Sequence, residues 1–308
     1  MRRFLILCAV LTCGTAAAAD ITVGPARAYR TLAAGVAAAE AGDRILLEPG
    51  VYTDDTVTTT VALTIEGLGG GAVLRASKPL ANRKGLVVSN ATLTVRNLTF
   101  DGAYVTAEDG NNGAGIRGQA GDLTVENCIF SDNQDGILVD AIAGATVRIA
   151  GSTFSGNGAG DGYSHGIYVN EVAKVTVTTS IFTGTKVGHD IKSRALVTAI
   201  SQTVLDDGVT GTTSYAVDLR NGGLAVLDEV RITQGPRSQN PAMVAYGAEG
   251  NLKAANGLIV SNSTFRNQLA SASAVAISNF TRVPATLRNN QFQDIRALRG
   301  PGGVPAMP

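Results

Sequence analysis

His165 and His189 are the only histidines in this chain. They open two matching phrases, His165-Gly166-Ile167-Tyr168-Val169 and His189-Asp190-Ile191-Lys192-Ser193. Four further phrases align with them: Gly115-Ile116-Arg117, Gly136-Ile137-Leu138-Val139, Ala216-Val217-Asp218-Leu219 and Met243-Val244-Ala245-Tyr246. If each is a strand of one parallel sheet, equivalent positions stack about 4.8 Å apart. Ile116, Ile137, Ile167, Ile191, Val217 and Val244 then form an inward column. The two-residue period sends Arg117, Leu138, Tyr168, Lys192, Asp218 and Ala245 outward. Two positions on, the outward column reads Gln119, Asp140, Asn170, Arg194, Arg220 and Gly247. The three middle strands therefore gather Tyr168, Asn170, Asp190, Lys192, Arg194, Asp218 and Arg220 on one external face, with His165 and His189 at its edge.

This set has the equipment to remove a proton next to a carboxylate. Arg194 and Arg220 form a cationic pair able to hold a carboxylate and to stabilise enolate-like charge. Lys192, His189 or His165 can serve as base. Asp218, stacked beside Lys192, would hold it charged or tune it, and Tyr168 or a histidine would donate or return a proton. The expected catalytic residues are Lys192, Arg194, His189, His165 and Asp218. The expected substrate-binding residues are Tyr168, Asn170, Arg220, Tyr246 and Glu249. The last two come from Ala245-Tyr246-Gly247-Ala248-Glu249-Gly250, inside an excursion at 234–256; a second excursion lies at 156–165. Long excursions from one side of a repeat array wall a cleft. The bland alternative is that the charges are ordinary ion pairs on a solvated sheet, and that the histidines are a stacked pair satisfied by backbone carbonyls. Asp132, Asp161 and Asp206-Asp207 read as turn formers rather than metal ligands.

The elements that must position these residues are legible in a second phrase. A β-rich run, a small or polar residue, then an apolar residue ends at Phe100, Phe130, Phe154, Phe182, Phe265 and Phe292, with Val204 and Ile232 filling the gap. It recurs at roughly 22- to 33-residue intervals, about 27 on average, which is the range of stacked supersecondary units. Leu63-Thr64-Ile65, Leu93-Thr94-Val95, Leu123-Thr124-Val125, Val147-Arg148-Ile149 and Val175-Thr176-Val177 alternate in and out as strands of their own. Phe100, Phe130, Phe154 and Phe182 are expected to form an internal stack that sets coil register. Residues 29–41 are predicted to form a helix from the spacing of Tyr29, Leu32, Ala33, Val36 and Ala37, ended at Gly42. Gly42-Asp43, the apolar run Ile45-Leu46-Leu47, and Pro49-Gly50-Val51-Tyr52 follow.

A helix followed by that Gly-Asp, apolar strand, Pro-Gly-x-Tyr phrase resembles the N-terminal cap and first coil of right-handed parallel β-helix proteins of the pectate-lyase-like superfamily. The resemblance covers nearly all of the chain after its leader and implies an all-β solenoid with a capping helix over its first coil. It also implies a polysaccharide partner, and with the Lys-Arg-His-Asp face it makes a lyase or C5-epimerase on an acidic, uronate-bearing glycan the expected activity. A non-catalytic carbohydrate- or protein-binding solenoid is the alternative. No cofactor is expected. Calcium-dependent members use clustered Asp and Glu beside an Arg, whereas Asp190 and Asp218 stand among cations, so Ca2+ is an alternative without residues to support it. Of the epimerase-like Asp-Pro-His-Asp pattern only His189-Asp190 has a counterpart.

Arg2 and Arg3, the apolar run Phe4 to Thr12 and Ala17-Ala18-Ala19 read as a secretory signal cleaved near Ala19, so the protein is expected to be exported, periplasmic or secreted, without a membrane span. Cys13 offers a weaker lipoprotein reading. The expected organisation is signal 1–19, cap helix and first coil 20–60, coils 61–296 and a flexible tail 297–308, acting as a monomer. Cys8 and Cys13 leave with the signal, and Cys128 is expected to be a small buried hydrophobe. The formal charge is zero, and no basic stripe points to nucleic acid. The absence of Trp, with aromatics at 5%, argues against a sugar-binding module built on aromatic platforms.

Overall fold

The computed structural model describes residues 18–303. The expected signal segment, apart from Ala18 and Ala19, lies outside the described residues, as do residues 304–308. Three parallel sheets carry the chain. The first has 12 strands, from Asp20–Val23 to Gly302–Gly303; the second has 10, from Gly50–Thr53 to Gln291–Gln293; the third has 10, from Val57–Thr59 to Arg296–Arg299. Each coil visits the three sheets in turn, so every strand pairs with its equivalent one coil away. The result is an all-β parallel β-helix of about ten turns, with one continuous apolar core running along its axis.

The Phe phrase acquires a backbone reason. The residue three before each Phe or its replacement bends the chain from the first sheet into the second and has a positive φ. These residues are Asn97, Asn127, Gly151, Thr179, Gln202, Glu229, Asn262 and Asn289. Asn and Gly tolerate that left-handed conformation at least cost, which explains why they hold five of the eight bends. Inside, Phe100, Phe130, Phe154 and Phe182 stack face to face at centroid separations of 4.8, 4.7 and 4.5 Å. Leu205 and Ile232 continue the column to Phe265.

The stack constrains the third sheet. A Cβ on Gly136 would lie 2.9 Å from Phe154 Cδ1 and 2.4 Å from Gly166 O; one on Gly166 would lie 3.3 Å from Phe182 Cδ1 and 2.6 Å from Asp190 O. The strand start is glycine opposite the stacked Phe130, Phe154 and Phe182 rings, where an added Cβ would crowd ring and backbone. Where Leu205 and Ile232 replace the rings, Asp190 and Ala216 take the glycine position. This corrects the placement of Asp190 on the external face. Its side chain points inward and is 1% exposed, because the chain turns a corner there and two successive residues of each strand face the core.

The rest of the expected register holds. Ile116, Ile137, Ile167, Ile191, Val217 and Val244 are mutual partners and fully buried. Tyr168, Lys192 and Asp218 are paired across adjacent strands.

Among the described residues a single α-helix, Leu32–Ala37, stands near the N-terminus and is shorter than the expected 29–41. Tyr29 is held in a bridge to Val23. The helix begins only after Thr31, whose hydroxyl accepts from Ala34 N, while Asp55 accepts from Leu32 N and Ala33 N. Asp43 takes the Glu40 and Ala19 N–H groups and fixes the turn that follows. At the other end, Arg296–Arg299 pairs with Val275–Asn279 and Gly302–Gly303 with the strand at Ala285, so these residues add a further coil where a flexible tail was expected. Leu298 and Ala297 pack against the core, which a polar-tail reading of this segment overlooked. No helix among the described residues is long and apolar enough to cross a membrane.

Candidate active site

The outward side of the third sheet carries three columns. The first reads Asp135, His165, His189 and Tyr215 along successive coils. Each member ties down the next through its backbone. Asp135 Oδ1 accepts from His165 N at 2.7 Å, His165 Nδ1 from His189 N at 3.1 Å, and His189 Nδ1 from Tyr215 N at 3.2 Å. The two imidazoles stack with centroids 4.8 Å apart, and His189 stacks in turn on Tyr215 at 5.3 Å. The expectation that carbonyls would satisfy them is thus reversed: each Nδ1 accepts an N–H.

That ladder fixes the tautomer. A ring whose Nδ1 accepts carries its proton on Nε2 when neutral, and it cannot become imidazolium without giving up the bond. Burial pushes His165 well below the ordinary histidine range, and the neighbouring His189 adds to the effect. Burial also lowers His189, against the opposing pull of Asp218. Asp135, fully buried with Oδ2 unpartnered, is pushed up to about 8 by desolvation.

The second column places Lys192 between Tyr168 and Asp218. Lys192 is 7% exposed and makes no ion pair among the described residues. Its Nζ lies 3.5 Å from His165 Nε2 and 4.6 Å from the centroid of the Tyr168 ring. Since His165 Nε2 bears a proton, the pair is complementary only when Lys192 is the neutral amine and accepts. Burial lowers the Lys192 pKa from its ordinary value, and repulsion from Arg220 lowers it further, with Asp218 opposing. Asp218 itself does not clamp Lys192. Its Oδ2 accepts from Arg220 Nε at 2.5 Å and lies 3.2 Å from His189 Nε2, outside aligned hydrogen-bond geometry; its Oδ1 is unpartnered.

The third column supplies the cations. Arg194 donates from Nε to Tyr168 Oη at 3.1 Å and from Nη1 to Asn221 Oδ1 at 3.1 Å, and its Nη2 lies 2.7 Å from Glu249 Oε2. Arg220 pairs with the other oxygen of Glu249. Tyr168 Oη donates to Asn170 Oδ1 at 2.9 Å. The segment that carries Glu249 is held by its backbone N–H on Arg220 O and by Lys253 Nζ, 2.9 Å from Glu171 Oε1.

Of the ten residues picked from sequence, nine converge: His165, Tyr168, Asn170, His189, Lys192, Arg194, Asp218, Arg220 and Glu249. Tyr246 does not. It lies two residues beyond the inward Val244, so the same period that turns Asp218 outward into the site turns Tyr246 into the core. It is fully buried, donates to Gly223 O at 2.6 Å and accepts from Gly257 N at 2.7 Å, making it part of the core. Sequence reasoning missed Asp135, although it stands in the histidine column one coil earlier. Cys128 is 1% exposed and burial pushes its thiol up to about 12, so it is chemically quiet. No group of three or more His, Cys, Asp and Glu among the described residues is arranged to hold a metal ion.

Residues 63–204 match the family model described as the right handed beta helix region. In structure the chain is similar to an alginate lyase from Paenibacillus sp. str. FPU-7, at 17% identity and a TM-score of 0.57, covering 94% of this chain and 99% of that one. It is also similar to the polygalacturonase from Erwinia carotovora ssp. carotovora, at 11% identity and a TM-score of 0.52, covering 95% and 99%. No curated protein matches the sequence. Such identities speak to architecture alone. The chain folds as a right-handed parallel β-helix, the architecture of the family model it matches over residues 63–204 and of both solved structures.

Proposed function

We propose that this protein is an exported enzyme that cleaves an acidic, uronate-bearing polysaccharide by β-elimination, with Lys192 as the base. The observation that carries this reading is Lys192 itself: a buried lysine without a carboxylate partner, facing a histidine N–H and flanked by two arginines. Neutral lysine in such a setting is a competent base at ordinary pH.

In the reaction, Arg194 and Arg220 neutralise the uronate carboxylate, which acidifies the adjacent C5–H. Lys192 Nζ takes that proton, and the C5–H electron pair becomes the C4=C5 double bond through the enolate. The C4–O bond then breaks, and its oxygen leaves with a proton from Tyr168 Oη, which Asn170 and Arg194 hold in place. His165 orients the Lys192 amine, and Asp218 anchors Arg220. Epimerisation would use the same C5 deprotonation but return a proton to the opposite face. The polysaccharide-acting names carried by both structural relatives agree with a glycan substrate. The short helix at Leu32–Ala37, packed over Val23 and Ile45, is read as the lid on the first coil, where an uncovered apolar end would otherwise meet water.

The test is release of unsaturated product, followed by ultraviolet absorbance, from a panel of polyuronates. Wild type is expected to act on at least one, and Lys192→Ala to lower turnover by about 10²–10⁴-fold, with Arg194→Ala also impaired. A wild-type protein silent on every acidic glycan, or full activity in Lys192→Ala, would refute the proposal.

A further inference from the structure

Arg194 and Arg220 are already engaged by a carboxylate of the protein's own. Glu249 Oε2 lies 2.7 Å from Arg194 Nη2, and Oε1 pairs with Arg220 Nη1. One carboxylate bridging two guanidiniums beside Lys192 has the same charge and fork geometry as a uronate carboxylate poised for deprotonation. Two such anions cannot share the pair without strong repulsion. Glu249 sits on the excursion between Tyr246 and Gly257. Its own backbone contact to the strand below is the N–H on Arg220 O at 3.1 Å, and Gly247 and Gly250 on either side are both in the left-handed region. The Glu249 side chain is 31% exposed, open to exchange with solvent and ligand.

We infer that Glu249 is an internal stand-in for the substrate carboxylate: it keeps the two-arginine site charged-balanced when empty and is displaced when an acidic glycan binds. The inference rests on the proposed reading of this face as a uronate site and adds that entry requires the 247–256 segment to release. The arginines are thereby kept from capturing inorganic anions. The occupant that wins must bring a carboxylate of its own, so neutral or esterified glycans are rejected at this step.

The probe is a saturated uronate trisaccharide, with its methyl ester as control, titrated calorimetrically against wild type and Glu249→Gln. Glutamine keeps the shape but yields the arginines more readily. Glu249→Gln is expected to bind the trisaccharide about tenfold more tightly, equivalent to ~1.4 kcal/mol, and neither protein to bind the ester. In wild type, amide hydrogen exchange across 248–252 is expected to speed up when the trisaccharide binds. Equal or weaker binding by Glu249→Gln, or slower exchange in that segment, would overturn the inference while leaving the proposed activity standing. Failure of both proteins to bind any uronate trisaccharide would overturn both.

Discussion

Replacing Gly166 by Ala adds one methyl group and should disturb the site more than many larger changes. The new Cβ would sit 2.6 Å from Asp190 O and 3.3 Å from Phe182 Cδ1. The first contact is with backbone, so no rotamer change can relieve it. Restoring an ordinary separation of about 3.4 Å moves the Asp190-Ile191 peptide by roughly 0.8 Å or forces an equal shift of the Gly166 strand, an overpacking cost of about 1–3 kcal/mol. The same strand bears the His189 N–H that His165 Nδ1 accepts and the Lys192 side chain, so the histidine ladder and the Lys192 contact shift with it. Gly257→Ala is the control. Its Cβ would meet nothing closer than Leu224 Cδ2 at 3.6 Å, and it has ordinary φ, so it should be neutral or stabilising by about 0.4–1 kcal/mol. Guanidinium unfolding at neutral pH, read by far-ultraviolet dichroism, measures both. Coils can unfold separately in a solenoid, so the comparison uses midpoints and slopes together. A Gly166→Ala protein within about 0.5 kcal/mol of wild type would refute the claim that the Phe stack and the glycine column fix the position of the site.

Two further substitutions separate core from site. Asp190→Asn should stabilise the protein increasingly as pH rises. The buried carboxyl is held well above its ordinary pKa, mainly by desolvation; the native state therefore binds more protons than the unfolded state above pH ~4, and wild type loses up to about 1.4 kcal/mol per pH unit from that point until the carboxyl ionises in the native state. Urea midpoints at pH 4 and pH 8 test this, and an Asn variant equally destabilised at both would contradict it. Tyr246→Phe removes the hydroxyl that bonds both Gly223 O and Gly257 N–H but leaves those two bonded to each other, and should cost about 0.5–1.5 kcal/mol in denaturation, with glycan binding unchanged in calorimetry; weaker binding at unchanged stability would return Tyr246 to the site.

Much of this arrangement was legible in the residue pattern because a solenoid writes its register into one dimension. Ile137, Ile167, Ile191 and Val217 recur in the same local phrase, and a two-residue period then places Tyr168, Lys192 and Asp218 outward without knowledge of the fold in detail. The period fails where the strand turns a corner. Asp190 and Ile191 both face inward, which no alternation rule provides, and only the Gly115, Gly136 and Gly166 column facing the rings hinted at it. Side-chain choices between equivalent partners were also hidden. Asp218 stands opposite Lys192 by register yet pairs with Arg220, because the planar guanidinium two residues away offers the better-aligned hydrogen bond. The bridging of Glu249 depends on how the 247–256 excursion folds back, a long-range event that local spacing does not encode. Ala38, Ala39 and Ala41 favour a longer helix than Leu32–Ala37, while Asp43 draws the Glu40 N–H into the turn that follows.

The central claim is that Lys192 is a neutral base within an acidic-glycan site. The most direct measurement is turnover of a polyuronate panel, followed through the unsaturated product across pH 5 to 9, for wild type, Lys192→Ala and Lys192→Arg. Lowered from its ordinary value, Lys192 should lose its proton more readily than a free lysine, so wild-type activity should rise with pH. The alanine variant, and the arginine variant whose guanidinium stays protonated, should remain silent while folding normally. Wild-type activity that falls over the same interval, or an arginine variant that turns over at the wild-type rate, would contradict it.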